Sequence, residues 1–226
     1  MTQLTFGKIS LADLKNFVTI QELGVQDYDW LQVGEIELTE AEQQQLQAIQ
    51  SRLVNLKIHL LNEATIWARA IYPLLLLAEQ YPIQAWAEVF LSAHYPRFDI
   101  EGLADGMLAN SIAGYVETPY LVVVEAKRGL EAQNPQFQLY GQLLASARMN
   151  WEGDRQTPQE MFGCYTIADT WTFFRAEISE IDSDRPVMKV ESSPEYGEKL
   201  EAETILKILK GIVSRKLRSL QANAPR

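Results

Sequence analysis

Residues 119–127, Pro-Tyr-Leu-Val-Val-Val-Glu-Ala-Lys, combine an apolar run with two charged groups that could do chemistry. The consecutive valines favour a strand, and an unbroken apolar run is typical of an interior strand covered on both faces. Because side chains alternate along a strand, we predict that Glu125 and Lys127 leave the same face and that Ala126 leaves the other. A buried sheet does not readily keep a carboxylate beside an ammonium group without a use for them.

A further acid, Asp105, ends an upstream segment that begins at Phe98. A stretch containing glycine and asparagine separates it from Glu125, so we predict that the two acids lie on neighbouring antiparallel strands. Their oxygens would then be close enough to share a divalent cation. Asp99 and Glu101 have the same strand parity as Asp105, so a shift of register would make either of them the ligand instead.

Two sets of residues resemble one known family, the PD-(D/E)XK nuclease superfamily. The first set is the ordered series Glu63, Asp105, Glu125-Ala-Lys127, in which Ala104 stands where the literal motif has proline, a substitution common in the superfamily. The second set is Gln136 and Tyr140, which have the Gln-x-x-x-Tyr spacing of the RecB-like branch. The resemblance covers roughly residues 55–150. It implies an α/β, restriction-endonuclease-like fold, with a mixed β-sheet flanked by helices, and we expect an N-terminal helical segment and a C-terminal amphipathic helix in addition.

The resemblance implies a Mg²⁺-dependent nuclease that hydrolyses phosphodiester bonds of DNA, with Mn²⁺ as an alternative ion. Mg²⁺ is held through oxygen, and the implied ligands are Asp105, Glu125, the backbone carbonyl of Ala126 and the helix acid Glu63. Lys127 would orient the attacking water or help deprotonate it, and would stabilise developing negative charge. Considered without Asp105, an ion pair between Lys127 and Glu125 explains the lysine equally well.

Substrate contacts are expected from the helix after the strand. Gln136 and Tyr140 lie one helical turn apart and so share a face. Gln138 and Gln142 form a competing pair on a different face, and the sequence does not choose between the pairs. His59 lies one turn before Glu63 in a predicted helix, but a lone helix histidine is more often structural.

Two other functions, each of a different class, are compatible with the same residues. One is a catalytically inactive protein of the same fold that acts as an interaction or regulatory subunit, which would show metal binding without turnover. The other is an unrelated α/β binding protein, in which Asp105 and Glu125 would lie far apart.

The remaining elements follow from apolar spacing and capping signals. Thr39 with Glu42 predicts a helix start, followed by a long helix or pair of helices that carries Glu63 and continues to Pro73. Strands are predicted at 85–92, 98–109, 120–127, 162–168 and 170–178, with a short edge strand at 188–191. Helices are predicted at about 135–149 and 202–220, and residues 12–23 form a helix or an irregular arm.

Composition predicts one domain: an N-terminal arm and helix (1–54), a nuclease-like core (55–150), and further strands with a terminal helix (151–226). The 226 residues are 47% hydrophobic and 22% charged, as in soluble globular proteins. No apolar stretch approaches the ~18 residues of a membrane span, and the lone Cys164 suits the cytoplasm. The net charge of −10 counts against non-specific coating of DNA, although every charged residue after Thr204 is basic. A homodimer is compatible with these features.

Overall fold

A computed structural model of the protein describes residues 2–127 and 134–222, with side chains up to Ser219. The described part contains a sheet of eight strands, β1 (Thr2–Thr5), β2 (Thr19–Val25), β3 (Ile83–His94), β4 (Phe98–Ile112), β5 (Tyr115–Lys127), β6 (Gln159–Ile167), β7 (Thr170–Ser179) and β8 (Val187–Gly197). Its α-helices are α1 (Leu11–Phe17), α2 (Glu40–Val54), α3 (Glu63–Ile66), α4 (Tyr72–Leu77), α5 (Pro135–Asp154) and α6 (Glu198–Ala222).

The sheet is mixed, and its strand order is β1-β4-β5-β6-β7-β8-β2, with β3 also paired to β4. The strands β4 and β5 are antiparallel, whereas β5 and β6 are parallel. β5 therefore has a hydrogen-bonded neighbour on each side, as its apolar sequence predicts. The prediction of an α/β protein with a mixed sheet flanked by helices is confirmed, and the expected C-terminal helix is present as α6.

Each face of the sheet is covered by its own hydrophobic core. Val122, Val124 and Ala126 of β5 pack into the core beneath α2, α4 and α6, here called the α6-side core. Val123 packs into the opposite core beneath α1 and α5, the α5-side core. From Val122 to Ala126, successive side chains of β5 therefore leave opposite faces, and both faces are buried.

Of the two predicted arrangements between Thr39 and Pro73, one long helix or a pair of helices, the structure has the pair, and the second helical stretch carries Glu63 as predicted. Helix α2 starts at the predicted cap, where Thr39 and Glu42 form a reciprocal capping box, but it ends at Val54. The chain continues through a 3₁₀ turn (Ile58–Leu60), α3 and a π-helical turn (Trp67–Ile71) before α4. A new helix begins at α3 because the Asn62 side chain accepts a hydrogen bond from the Thr65 amide.

The N-terminal segment is not only helical. It contributes β1 and β2 to the sheet, with α1 between them. β2 pairs in parallel with β8, so β8 is an interior strand of 11 residues rather than the predicted short edge strand. The sequence did not predict β2 because most of its residues are exposed and lack the alternation of a half-buried strand.

Candidate active site

β3 and β4 both change faces at one place in the sheet. In the first part of β4, the even-numbered residues Phe98, Ile100 and Ala104 pack into the α5-side core. Further along, the odd-numbered Met107 packs into that core, and the even-numbered Leu108 packs into the α6-side core. The even-numbered side chains therefore change face between residues 104 and 107. The same change occurs in β3 between Ala85 and Val89, where Glu88 has a left-handed φ of 53°. The flanking pairs place Glu88 opposite Asp105.

A glycine next to Asp105 lets a tryptophan approach the kinked strand. A Cβ atom at Gly106 would lie 2.1 Å from Trp67 Cη2, so no larger residue fits there without moving the indole. Trp67 belongs to the π-helical turn that follows α3. Gly106 therefore has a packing role next to the acid Asp105.

The kink directs the Asp105 carboxylate towards β5. Asp105 Oδ2 accepts a hydrogen bond of 2.7 Å from the Ala126 backbone N–H. Since Ala126 lies between Glu125 and Lys127, the acid of β4 lies beside the charged pair of β5. The predicted proximity of Asp105 to the Glu-Ala-Lys segment on an antiparallel neighbour is confirmed.

Glu125 is fully buried, and it has two close polar neighbours. The Lys127 ammonium lies 2.5 Å from Glu125 Oε1, and the Gln142 side-chain amide donates a hydrogen bond of 2.6 Å to Oε2. Lys127 is 16% exposed, so its ammonium is near solvent while its partner is not. Sequence spacing placed Gln142 on a different face of α5 from Gln136 and Tyr140. Gln142 is the glutamine that contacts Glu125.

Burial and crowded negative charge disfavour ionisation of both acids. Burial, and then the charge of Asp105, raise the pKa of Glu125 to about 7. Burial also raises the pKa of Asp105, and the charges of Glu63 and Glu88 act in the same direction. Burial opposes the charge on Lys127, but its hydrogen bond to Glu125 outweighs that effect and raises the pKa of the ammonium. The lysine is therefore cationic at neutral pH.

A cavity of about 410 Å³ opens beside Asp105 and Ala126. It is lined by Glu63, Ala64, Trp67, Ala87, Glu88, Asp105 and Ala126. Glu63, the first residue of α3, is exposed and lines the cavity. Glu88, which also lines the cavity, was not predicted as a site residue, because nothing in the pattern of β3 distinguishes it from a solvent-facing strand residue.

The alternative acids of β4 lie elsewhere. Asp99 is 2.7 Å from His94 Nδ1, and Glu101 accepts a 3.5 Å hydrogen bond from Ser92. Neither acid lines the cavity that contains Asp105. They lie six and four residues from Asp105 along β4, roughly 13–20 Å at ~3.3 Å per residue, which is too far to share an ion with it. His59 is exposed in the 3₁₀ turn before α3.

The residues expected to contact substrate converge on an acid from the N-terminal segment. Glu22 Oε1 accepts hydrogen bonds from Gln136 Nε2 at 3.0 Å and from the Tyr140 hydroxyl at 2.9 Å. Gln136 Nε2 also lies 2.7 Å from the Tyr140 hydroxyl, as expected for residues one turn apart. Gln138 is half-buried on the same helix. The Glu22 contact was not predictable from spacing, because β2 itself was not predicted.

The donor set around Asp105 fits a hard divalent cation. All the candidate ligands are oxygen atoms, and a bound cation would offset the burial and the negative charge that together raise the pKa values of Asp105 and Glu125. Within residues 2–127 and 134–222, however, no three His, Cys, Asp or Glu side chains converge closely enough to hold a metal ion. Binding would therefore require Glu125 or Glu63 to turn towards Asp105.

Comparison with known proteins adds no family. No protein-family model matches the chain, and no curated protein sequence matches it. None of the helices in the described part of the chain is long and apolar enough to cross a membrane.

Proposed function

We propose that this protein is a Mg²⁺-dependent nuclease of restriction-endonuclease-like fold that hydrolyses phosphodiester bonds of DNA. One observation carries the proposal: the contact between Asp105 and the Ala126 amide, which brings an acid of β4 beside the Glu125–Lys127 pair. This is the order and proximity of groups that the resemblance to PD-(D/E)XK nucleases predicts. A strand kink that exists only to support folding would not need three ionisable groups around it.

Asp105 and Glu125 would hold the cation, with the Ala126 carbonyl and Glu63 as further oxygen ligands. A bound divalent cation would polarise the phosphoryl group and acidify a water molecule. The protein would supply a cavity with oxygen donors on one side and the Trp67 indole on another.

Lys127 would orient the attacking water and stabilise negative charge on the phosphoryl oxygens. The pKa of its ammonium is raised, so the side chain would donate hydrogen bonds rather than remove a proton. Of the two roles considered for this lysine, charge stabilisation therefore has the better support. Its ion pair with Glu125 would keep the ammonium at the strand end until substrate arrives.

Contacts to substrate would come from the α5 side of the site rather than from the basic end of α6. Lys216 of α6 lines a small cavity with Thr118 and Pro119, near the start of β5. The site lies at the other end of that strand, about 25 Å away at ~3.3 Å per residue. Gln136 and Tyr140 are the better candidates, as donors that already bind a carboxylate oxygen.

A second function is favoured by one specific observation. Both oxygens of Glu125 have close partners within the protein, and no group of three metal-ligating side chains converges in the described residues. This arrangement favours an inactive protein of the same fold that acts as an interaction or regulatory subunit. Such a protein would bind a partner or DNA without cleaving it.

Cleavage of circular and linear DNA separates the two functions. The nuclease proposal predicts cleavage with Mg²⁺ or Mn²⁺ and none with EDTA, and nicking or linearisation of the circle would identify endonuclease activity. The interaction-subunit proposal predicts that neither substrate is cut with either metal.

A further inference from the structure

Two apolar side chains are exposed on the face of the sheet that carries the cavity beside Asp105. Phe90 of β3 is 58% exposed and Leu103 of β4 is 55% exposed, and the two residues are paired across the strands. Their chain neighbours Val89 and Ala104 pack into the α5-side core, so the two exposed side chains leave the opposite face. The cavity opens on that same face, because its lining includes residues that pack with the α6-side core.

The Phe90–Leu103 pair borders the cavity. Leu103 precedes Asp105 by two residues, which separates their Cα atoms by about 7 Å at ~3.3 Å per residue. On the neighbouring strand, Phe90 follows Glu88 by two residues, and both Glu88 and Asp105 line the cavity. A substrate that reacts at Asp105 and is longer than the cavity in this direction would therefore lie over the pair.

Acidic residues lie on both sides of the Phe90–Leu103 pair. Glu88 and Asp105 flank it on the cavity side. On the other side, Ser92 is paired with Glu101, whose carboxylate accepts a 3.5 Å hydrogen bond from the serine hydroxyl. Negative charge on both sides repels a phosphate group that would lie over the pair. It also opposes contact with the same face of a second copy, since a two-fold contact would bring acids against acids. The occupant that fits is flat, apolar and uncharged where it touches the pair.

A nucleobase has this chemistry. Its faces are flat, and its stacking on an aromatic side chain depends little on which base is present. In a duplex the base faces are covered by their neighbours in the stack, so only an unpaired base can lie on the Phe90 ring. Neither Phe90 nor Leu103 has a side-chain hydrogen-bonding group that could read a base edge. The pair therefore suits an unpaired base of any sequence.

We infer that Phe90, supported by Leu103, stacks on an unpaired base next to the scissile phosphate, so that the preferred substrate is single-stranded DNA rather than continuous duplex. This inference rests on the proposed nuclease function for the chemical class of the substrate. Stacking makes DNA affinity depend on the ring at position 90 and on the presence of bases. A cross-strand pair that only stabilises the edge of the sheet makes affinity depend on neither.

DNA binding in a Lys127→Ala background, which prevents cleavage, tests the inference. Fluorescence anisotropy with Mg²⁺ compares three labelled DNAs of equal length: a single strand of mixed sequence, an abasic single strand and a blunt duplex. We expect the base-bearing single strand to bind more tightly than the other two. Adding Phe90→Ala should raise its dissociation constant about tenfold, as expected when one stacking contact is lost. The salt dependence of binding should not change, because no phosphate contact is removed.

Three further variants identify what the DNA contacts. Phe90→Tyr keeps the aromatic ring and should bind the single strand within twofold of the Lys127→Ala parent. Phe90→Leu keeps an apolar side chain without the ring and should resemble Phe90→Ala. Tyr115→Ala is the matched control and should bind like the parent, because Tyr115 is a 73% exposed aromatic residue at the end of β5 remote from the site.

The inference is overturned if folded Phe90→Ala binds the single strand within twofold of the parent. It is also overturned if the parent binds no single strand, or binds the abasic strand or the duplex as tightly. A lowered melting temperature with unchanged affinity would assign the pair to the stability of β3 instead. Loss of a dimer in sedimentation with unchanged affinity would assign it to contact between copies. If single strands bind as expected and wild type cleaves no DNA, the stacking site stands and the proposed nuclease function fails.

Discussion

Asp105 combines a negative charge with a backbone contact, and two substitutions separate these contributions. Asp105→Asn removes the charge but keeps an oxygen that can accept from the Ala126 N–H. Because the folded protein raises the pKa of Asp105, the charged form is disfavoured there and its removal should stabilise the metal-free protein. Asp105→Ala also removes the acceptor, which leaves the Ala126 amide unsatisfied.

We therefore predict that, in EDTA at pH 8, Asp105→Asn unfolds at higher urea concentration than wild type. Asp105→Ala should be less stable than Asp105→Asn by roughly 1–3 kcal/mol. Both variants should lose cleavage. Equal stability of the two variants would show that the Ala126 contact contributes nothing. An Asn variant that unfolds at lower urea concentration than wild type would show that the charge of Asp105 does not destabilise the folded protein.

The sequence predicts part of this site because strand chemistry is local. An apolar β-branched run that ends in Glu-Ala-Lys favours an interior strand, and its two charges must leave one face. Glu88 and Gln142 could not be predicted in the same way, since their contacts depend on strand register and on the packing of α5. The left-handed residue of β3, at position 88, is a glutamate, so no glycine marks the kink of that strand in the sequence.

At the scale of elements, β2 connects the N-terminal segment to the proposed substrate-binding helix. Glu22 of β2 accepts hydrogen bonds from both Gln136 and Tyr140 of α5. If these donors contact a substrate phosphate, Glu22 competes with that phosphate for them. The same contact also joins the edge strand β2 to the helix, so its removal should slightly destabilise the protein.

We predict that Glu22→Ala tightens DNA binding severalfold and lowers the melting temperature slightly. Fluorescence anisotropy with labelled DNA, in a Lys127→Ala background that prevents cleavage, measures the first effect. Gln21→Ala is a suitable control, because residue 21 is exposed on the same strand. Unchanged or weaker DNA binding by Glu22→Ala would mean that the contact only anchors β2.

The elements that the sequence predicted well are those with a repeating buried pattern. Six elements carry such a pattern: β4, β5, β6, β7, α5 and α6. Most of their ends lie within a few residues of the predicted positions. The segment between α2 and α3 did not follow its apolar spacing. Leu60 fits the helical pattern of α2, yet it is 63% exposed because the chain has already left the helix.

At the scale of the whole molecule, buried acids should make stability depend on pH. Burial raises the pKa of Glu198 to about 8 and that of Glu125 to about 7. An acid with a raised pKa binds protons more tightly in the folded state, so the free energy of unfolding should fall as pH rises. The window runs from about 4.5, the ordinary glutamate value, to about 8.

Glu198→Gln tests this dependence away from the proposed metal ligands. The carboxylate of Glu198 accepts a hydrogen bond from Trp171 Nε1 at 2.9 Å, which an amide oxygen can also accept. We predict that the variant gains more than about 1 kcal/mol at pH 8, since one unit of pKa shift corresponds to ~1.4 kcal/mol. It should gain little at pH 4. Urea unfolding at both pH values measures the difference, with the exposed Glu203→Gln as control, and an equal gain at both pH values would contradict the explanation.

The distribution of charge also limits how the proposed nuclease would bind DNA. The chain has a net charge of −10, and Lys216, near the basic end of α6, lies by the start of β5, remote from the site. DNA binding should therefore depend on the divalent cation and on Lys127 more than on a general basic surface.

Mg²⁺-dependent cleavage of DNA by wild type and Lys127→Ala is the most direct test of the proposed site. Lys199→Ala is the matched control, because Lys199 is also a partly exposed lysine paired with an acid, Asp169. We predict that wild type and Lys199→Ala cleave DNA at similar rates, and that Lys127→Ala loses at least about 100-fold, as expected when one stabilising donor is removed. Cleavage by Lys127→Ala at the wild-type rate, or no cleavage by wild type with Mg²⁺ or Mn²⁺, would contradict the assignment of Asp105, Glu125 and Lys127 as a nuclease site.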